Sequence, residues 1–157
     1  WNLSGRGTIL DATLELHASR YLEVDGALLP TGRMAPVDGT AFDFRSPERV
    51  GERMDATGGG YDHCYVIDAA PDAQGLSLAA VLRDPATGRS MEVRTTQPGV
   101  QLYSGNFLAR SGFLLHGALC LETQHFPDCV NHPEFPPATL RPGEVYRHTT
   151  VHRFGAA

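Results

Sequence analysis

A glutamate stands in the middle of the stretch GALCLETQHFPD, residues 117–128. The stretch reads as a β-strand. Alternation puts Cys120, Glu122 and Gln124 on one face and Leu119, Leu121 and Thr123 on the other. With the leucines turned to a core, Glu122 faces either solvent or a cleft. A solvated glutamate on an outer face is the plain reading. The functional reading rests on its neighbours. Gln124 beside Glu122 supplies a carboxylate and an amide that together can hold and deprotonate a polyhydroxylated ligand. Cys120 and Phe126 would make the surroundings partly apolar, a setting that suits a general base.

Other residue types invite chemistry that their spacing does not support. The run GGGYDH, residues 58–63, has no GK[ST] element, and the chain after it reads as strand. No helix N-terminus is therefore offered to an anion there. The run reads as a turn that presents Asp62; an Asp that satisfies turn N–H groups is the plain alternative. His125, Asp128 and His132 are metal-capable and close in sequence. Their spacing matches no zinc pattern and prolines intervene, so loop hydrogen bonding is expected. His148 and His152 lie i, i+4 in a strand-like stretch without HExxH, which excludes a zincin. No GxSxG elbow occurs. His63 and Cys64 are adjacent on a strand and point to opposite faces, which argues against a Cys–His nucleophile.

The elements that must position these residues are strands. In TLELHA, Leu14 and Leu16 face one way and Glu15 and His17 the other. YLEVD follows, then the turn-rich GALLPTGRMAPVDGT. GGGYDHCYVID is a glycine turn feeding a strand. LSLAAVLRD and SMEVRTTQ flank PATGR, a hairpin signature. GVQLYSGNFL, LCLETQHF and VYRHTTVHRF complete the set. FRSPERVGERM is the best place for a short helix or turn, with Ser46 as cap and Pro47 at the first helical position. Short strands with almost no helix predict an all-β, antiparallel β-sandwich. The Pro-rich FPDCVNHPEFPPATLRPGE reads as a loop between the last two strands. No domain boundary or internal repeat interrupts the chain.

Bulk properties fit one soluble domain. The 157 residues can bury a real core, and 41% hydrophobic with 20% charged residues is ordinary for a globular chain. A net charge of -5 argues against nucleic acid as a partner. No apolar run is long enough to span a membrane. Three cysteines without CxxC spacing argue against a disulfide framework and for a reducing, cytoplasmic setting.

Several long motifs carry a family resemblance. YLEVDGALLPTGRMAPVDGTAFDFR, GGYDHCYV, TTQPGVQLYSGNFL and LCLETQHFPDCVNHPEFPPATLRPGEVYRHTTVHRF together resemble the aldose 1-epimerases, or galactose mutarotases, in family order over most of the chain. WNLSG resembles the tail of that family's N-H-x-Y-[FW]-N-L-x-G segment. The resemblance implies a mutarotase-type antiparallel supersandwich with the sugar in an open cleft on one sheet. It implies that residues 1–157 are the C-terminal portion of one such domain, whose N-terminal half is absent. It implies interconversion of the α and β anomers of free aldohexoses such as galactose and glucose, with no cofactor and no metal. In those roles Glu122 resembles the general base, and Asp62 and Gln101 resemble residues that bind sugar hydroxyls. The expected partners are the aldohexose and a second chain or the missing N-terminal half. A phosphorylated sugar fits less well, since no basic cluster lies near the motifs.

The resemblance also implies a gap. The family's general-acid His lies before WNLSG, another His lies further upstream, and none of the seven histidines here matches either motif. The alternative to a mutarotase is therefore a carbohydrate-binding remnant without turnover. Half a sandwich is expected to leave sheet edges and apolar surface open. RSGFLLHGALCLE carries extra residues relative to the family, expected to alter the loop or register before Glu122.

Overall fold

A computed structural model describes residues 1–156. The punctuated alternation folds into ten strands: β1 (Thr13–Leu16), β2 (Arg20–Val24), β3 (Pro30–Pro36), β4 (Glu48–Arg49), β5 (Asp62–Val66), β6 (Ser77–Arg83), β7 (Arg89–Thr95), β8 (Gly99–Tyr103), β9 (Cys120–Gln124) and β10 (Thr150–Ala156). Two 3-10 turns, Met54–Thr57 and Leu108–Ser111, are the only helical elements among the described residues. The strands form two five-stranded sheets, in the orders β10-β7-β6-β1-β4 and β3-β2-β5-β8-β9. Every pairing is antiparallel, so the all-β expectation holds.

The main core lies between the sheets. Leu14, Leu16, Leu82 and Met91 from the first meet Tyr65, Val100, Leu102 and Leu121 from the second. Leu14 and Leu16 are buried while Glu15 and His17 stay partly exposed, as their alternation predicts. The PATGR hairpin forms between β6 and β7, and its turn is fixed by the Asp84 carboxylate, which accepts from the Thr87 N–H (3.0 Å) and hydroxyl (2.5 Å).

A second, smaller cluster lies on the outer face of the second sheet. Leu22, Cys64 and Val66 of that sheet are covered by Phe126 and Phe135 from the Pro-rich loop between β9 and β10. This loop therefore seals one end of the outer face and leaves the other end open.

Two expectations are corrected. Ser46 and Pro47 start no helix. Glu48 and Arg49 pair with β1 instead, and the Val50 N–H donates to the Ala12 carbonyl at 2.9 Å. The backbone groups of this stretch find partners on a neighbouring strand, and the side chain of Val50 is fully buried. Tertiary pairing outweighs local capping preference here. The 3-10 turn comes later, at Met54–Thr57, and ends on Gly58 at φ 81°. The last strand starts only at Thr150, because Tyr146 and His148 are engaged with Gln97 and Thr96 in the loop before it.

The sheets keep open margins. β10 is an outer strand seven residues long whose residues are almost all exposed, including Phe154 at 59%. Phe113, Leu114 and Leu115 form an exposed apolar run before β9. No helix among the described residues is long and apolar enough to cross a membrane.

Candidate active site

Three adjacent strands bring the candidate residues together. Asp62 opens β5, Gln101 is central in β8 and Glu122 is central in β9. Gln101 lies directly opposite Glu122 across the β8–β9 pairing, and opposite Cys64 across β5–β8. Residues facing each other in a ladder share a face, so Asp62, Gln101, Glu122 and Gln124 all point outward from the core. They form the polar floor of a cleft of about 460 Å³.

The floor is cross-linked by amides. Gln101 Nε2 donates to Asp62 Oδ1 at 2.8 Å. Gln124 Nε2 donates to Gln101 Oε1 at 3.4 Å. The Gln101 amide is thereby fixed with its nitrogen toward Asp62 and its oxygen toward Gln124. The Glu122 carboxylate is exposed to the cleft. Leu28 and Pro30 from the β2–β3 hairpin, with Pro127 from the loop after β9, form one wall. Tyr103 and Phe107 form another.

Local sequence explains why Asp62 stands where it does. Tyr61 is fully buried in the core, and its N–H donates to Ser104 Oγ at 2.8 Å. Asn106 Nδ2 donates to the Tyr61 carbonyl at 3.1 Å. Gly60 makes room for that clamp: at φ 152°, a Cβ on it would meet Asn106 Oδ1 at 2.0 Å. The glycine run thus serves as the turn that presents Asp62. At the other end of the same face, Gly99 clears space for Phe126, because a Cβ there would lie 2.9 Å from Cys64 Sγ and 3.1 Å from the Phe126 ring.

Other candidates are not assembled. His63 faces the core side and packs against Phe42 (4.5 Å) and Tyr21 (5.6 Å). Burial holds its imidazole below the ordinary histidine range, partly offset by Asp62. Cys64 points to the outer face, is 2% exposed, and its thiol is pushed up to about 12 by burial, opposed by a hydrogen bond from Gln124. It is an inert core thiol. His125 lies against His148, with ring centroids 5.3 Å apart, while Asp128 and His132 pair with each other at 3.5 Å. Among the described residues, no group of three or more His, Cys, Asp or Glu side chains converges as a metal site. His152 lies on β10 beside Trp1.

One further expectation differs. Phe126 is turned into the second cluster beside Cys64 and is not among the residues that line the cleft with Glu122. The extra residues before β9, expected to alter the loop or the register, are taken up by the loop, and the β8–β9 pairing runs unbroken from Gly99–Gln124 to Tyr103–Cys120. They are absorbed in the 3-10 turn and the exposed Phe113–Leu115 run. The cleft walls were not foreseen. Period-two alternation from Gln101 points to Tyr103, but Leu28, Pro30 and Phe107 sit in turns that no periodicity reaches.

Known proteins resemble this chain in sequence and in fold. The sequence profile described as aldose 1-epimerase matches residues 1–153. The chain is 46% identical to the galactose mutarotase of Mus musculus, over 100% of this chain and 48% of that protein. It is 34% identical to the aldose 1-epimerase of Escherichia coli K12, over 98% of this chain and 48% of that protein. Its fold matches the crystal structure of an aldose epimerase homologue from C. elegans with a TM-score of 0.85 at 28% identity, over 99% of this chain and 49% of the other. The chain spans about half the length of the curated relatives it matches. Matched along nearly its whole length in profile, sequence and fold, the chain belongs to the aldose 1-epimerase family.

Proposed function

We propose that this chain is the C-terminal portion of an aldose 1-epimerase domain, and that its cleft binds a free aldohexose such as galactose or glucose and supplies the general base for anomer interconversion. The observation that carries the reading is the convergence of Asp62, Gln101 and Glu122 on the floor of one open cleft. Glu122, as a carboxylate, takes the proton of the anomeric hydroxyl while another group delivers a proton to the ring oxygen. The C1–O bond of the ring opens, rotation about C1–C2 exposes the other carbonyl face, and the reverse transfers close the ring as the opposite anomer. Asp62 and Gln101 hold sugar hydroxyls so that the anomeric oxygen meets the base.

The acid is sought outside this chain, because no histidine lines the cleft among the described residues. The pairing at Trp1 supports one position for it. Trp1 and Leu119 exchange both main-chain hydrogen bonds, an antiparallel hydrogen-bonded pair at the start of β9. A segment continuing that pairing N-terminal of Trp1 would run along the outer edge of β9, and the third residue before Trp1 would face Glu122. In N-H-x-Y-[FW]-N-L-x-G, with its [FW] at Trp1, that residue is the His. The partner is thus the sugar together with a polypeptide corresponding to the other half of the relatives' length.

The test is polarimetry of freshly dissolved α-D-galactose with the chain alone and with that second polypeptide. Acceleration only in the mixture is expected. Glu122→Gln, nearly isosteric, is expected to lower the accelerated rate by about 10²–10⁴-fold with the fold intact. Full activity of that variant would remove Glu122 from the mechanism. The second reading, sugar binding without turnover, is favoured by the same histidine-free lining and would be established if the mixture binds galactose yet leaves the rate at that of buffer.

A further inference from the structure

We propose that His132, in the Pro-rich loop after β9, is a positioning residue of the cleft: it ties down the β2–β3 hairpin whose tip forms one cleft wall. His132 Nε2 lies 3.1 Å from the Pro30 carbonyl oxygen, across 102 positions of sequence. A carbonyl only accepts, so Nε2 carries the proton and donates. Pro30 and Leu28, two residues before it, both line the cleft. The hairpin needs such a tie. β3 is the outer strand of its sheet, with β2 on one side only. Its tip is strained and exposed, with Leu28 at φ 63° and 50% exposed.

The imidazole has neighbours on several sides. Asp128 Oδ2 lies 3.5 Å from Nε2 and Glu134 Oε1 lies 3.3 Å from Nδ1. The ring packs on Phe135 at 5.1 Å, and Phe135 is buried in the cluster with Phe126, Leu22 and Cys64 beneath the cleft. The strand approaches closely at Gly32 (φ 87°), where a Cβ would meet Glu134 Oε1 at 2.6 Å and His132 Nδ1 at 2.8 Å. Arg33, the charged residue next to that glycine, pairs with Glu23 of β2 at 3.5 Å. The hydrogen bond to Pro30 therefore joins a loop anchored in the second cluster to the tip end of a hairpin whose far end is held by Met34 packing on that same cluster.

The consequence for a ligand rests on the proposed sugar reading, whereas the tie itself does not, and the experiment separates them. Amide hydrogen exchange is measured by NMR on the full chain and on three variants, His132→Ala, His132→Gln and His132→Asn. The Gln amide nitrogen can reach the Pro30 carbonyl; the shorter Asn cannot. The Ala and Asn variants are expected to exchange the amides of residues 28–34 about two- to tenfold faster, with β6 and β7 unchanged, and Gln is expected to restore most of the protection. D-galactose titrated into the same samples is expected to bind more weakly to the Ala and Asn variants in the same ratio. Unchanged protection at residues 28–34, or equal loosening by Gln and Asn, would overturn the tie. Loosened hairpins with unaltered galactose affinity would overturn its role in the cleft. Failure of the unmodified chain to bind galactose, with the hairpin pattern as expected, would leave the tie standing and overturn the sugar reading.

Discussion

At the level of single residues, Gln101 links the polar floor of the cleft. One amide spends its nitrogen on Asp62 and its oxygen on Gln124, so the carboxylate of Asp62 is oriented before any ligand arrives. On the proposed reading, a sugar hydroxyl enters between groups whose positions are already fixed. Cys64, directly opposite Gln101 and beneath the same floor, shows the contrary case of a reactive group made inert. With its thiol pushed up to about 12 by burial, almost none of it is thiolate at pH 8. Iodoacetamide at pH 8 is expected to leave Cys64 unmodified in the folded chain and to label it only in denaturant, as read by peptide mass spectrometry. Labelling of Cys64 at the denatured rate under native conditions would show that the floor is not packed as described. The motifs that carry the family resemblance single out Asp62, Gln101 and Glu122 as candidates, and the strand pairing puts all three on one face. Phe107 and Leu28 could not be picked out from the sequence, because their directions depend on a 3-10 turn and on a left-handed hairpin residue that are set by tertiary contacts.

Among the elements, the turn into β5 is the most demanding. Gly60 leaves space for Asn106, and Asn106 in turn satisfies the Tyr61 carbonyl. Gly60→Ala forces a Cβ into that amide and is expected to destabilise the fold by about 1–3 kcal/mol and to shift Asp62. Thermal melting combined with the Asp62 region of an NMR spectrum checks both effects, and an unchanged midpoint would show that the Asn106 clamp yields without cost. The strands themselves were readable from alternation, and the β6–β7 hairpin from its turn residues. The misreading at Ser46–Pro47 has a plain cause. Capping residues signal what the chain can do locally, whereas the pairing of Glu48 and Arg49 with β1 and the burial of Val50 depend on residues some 35 positions away. The register of β9 is held by its own alternation, because a one-residue slip would carry Leu121 out of the core and Glu122 into it.

For the molecule as a whole, the question is what meets the open margins. β10 offers a seven-residue outer strand with Phe154 exposed, and Trp1 lies against Phe154 and His152 with ring centroids 5.4 and 5.3 Å away. Among the described residues, Trp1 makes main-chain hydrogen bonds at the start of the outer edge of β9, and the Thr123 side chain meets Thr150 of β10 further along. An open strand edge is a template for another strand. The relatives are about twice as long as this chain, so the proposed second polypeptide has material to supply strands to these margins. In its absence the same groups are expected to draw copies of this chain together. Sedimentation velocity should then show association that grows with concentration, and Phe154→Lys, which puts a charge on the open strand, should reduce it. Adding the second polypeptide should replace self-association by a defined one-to-one complex, and the same mixture should be the one that accelerates mutarotation. A chain that stays monomeric at every concentration, with or without the lysine, would mean that β10 is protected as it stands and that the second polypeptide must act through β9 alone.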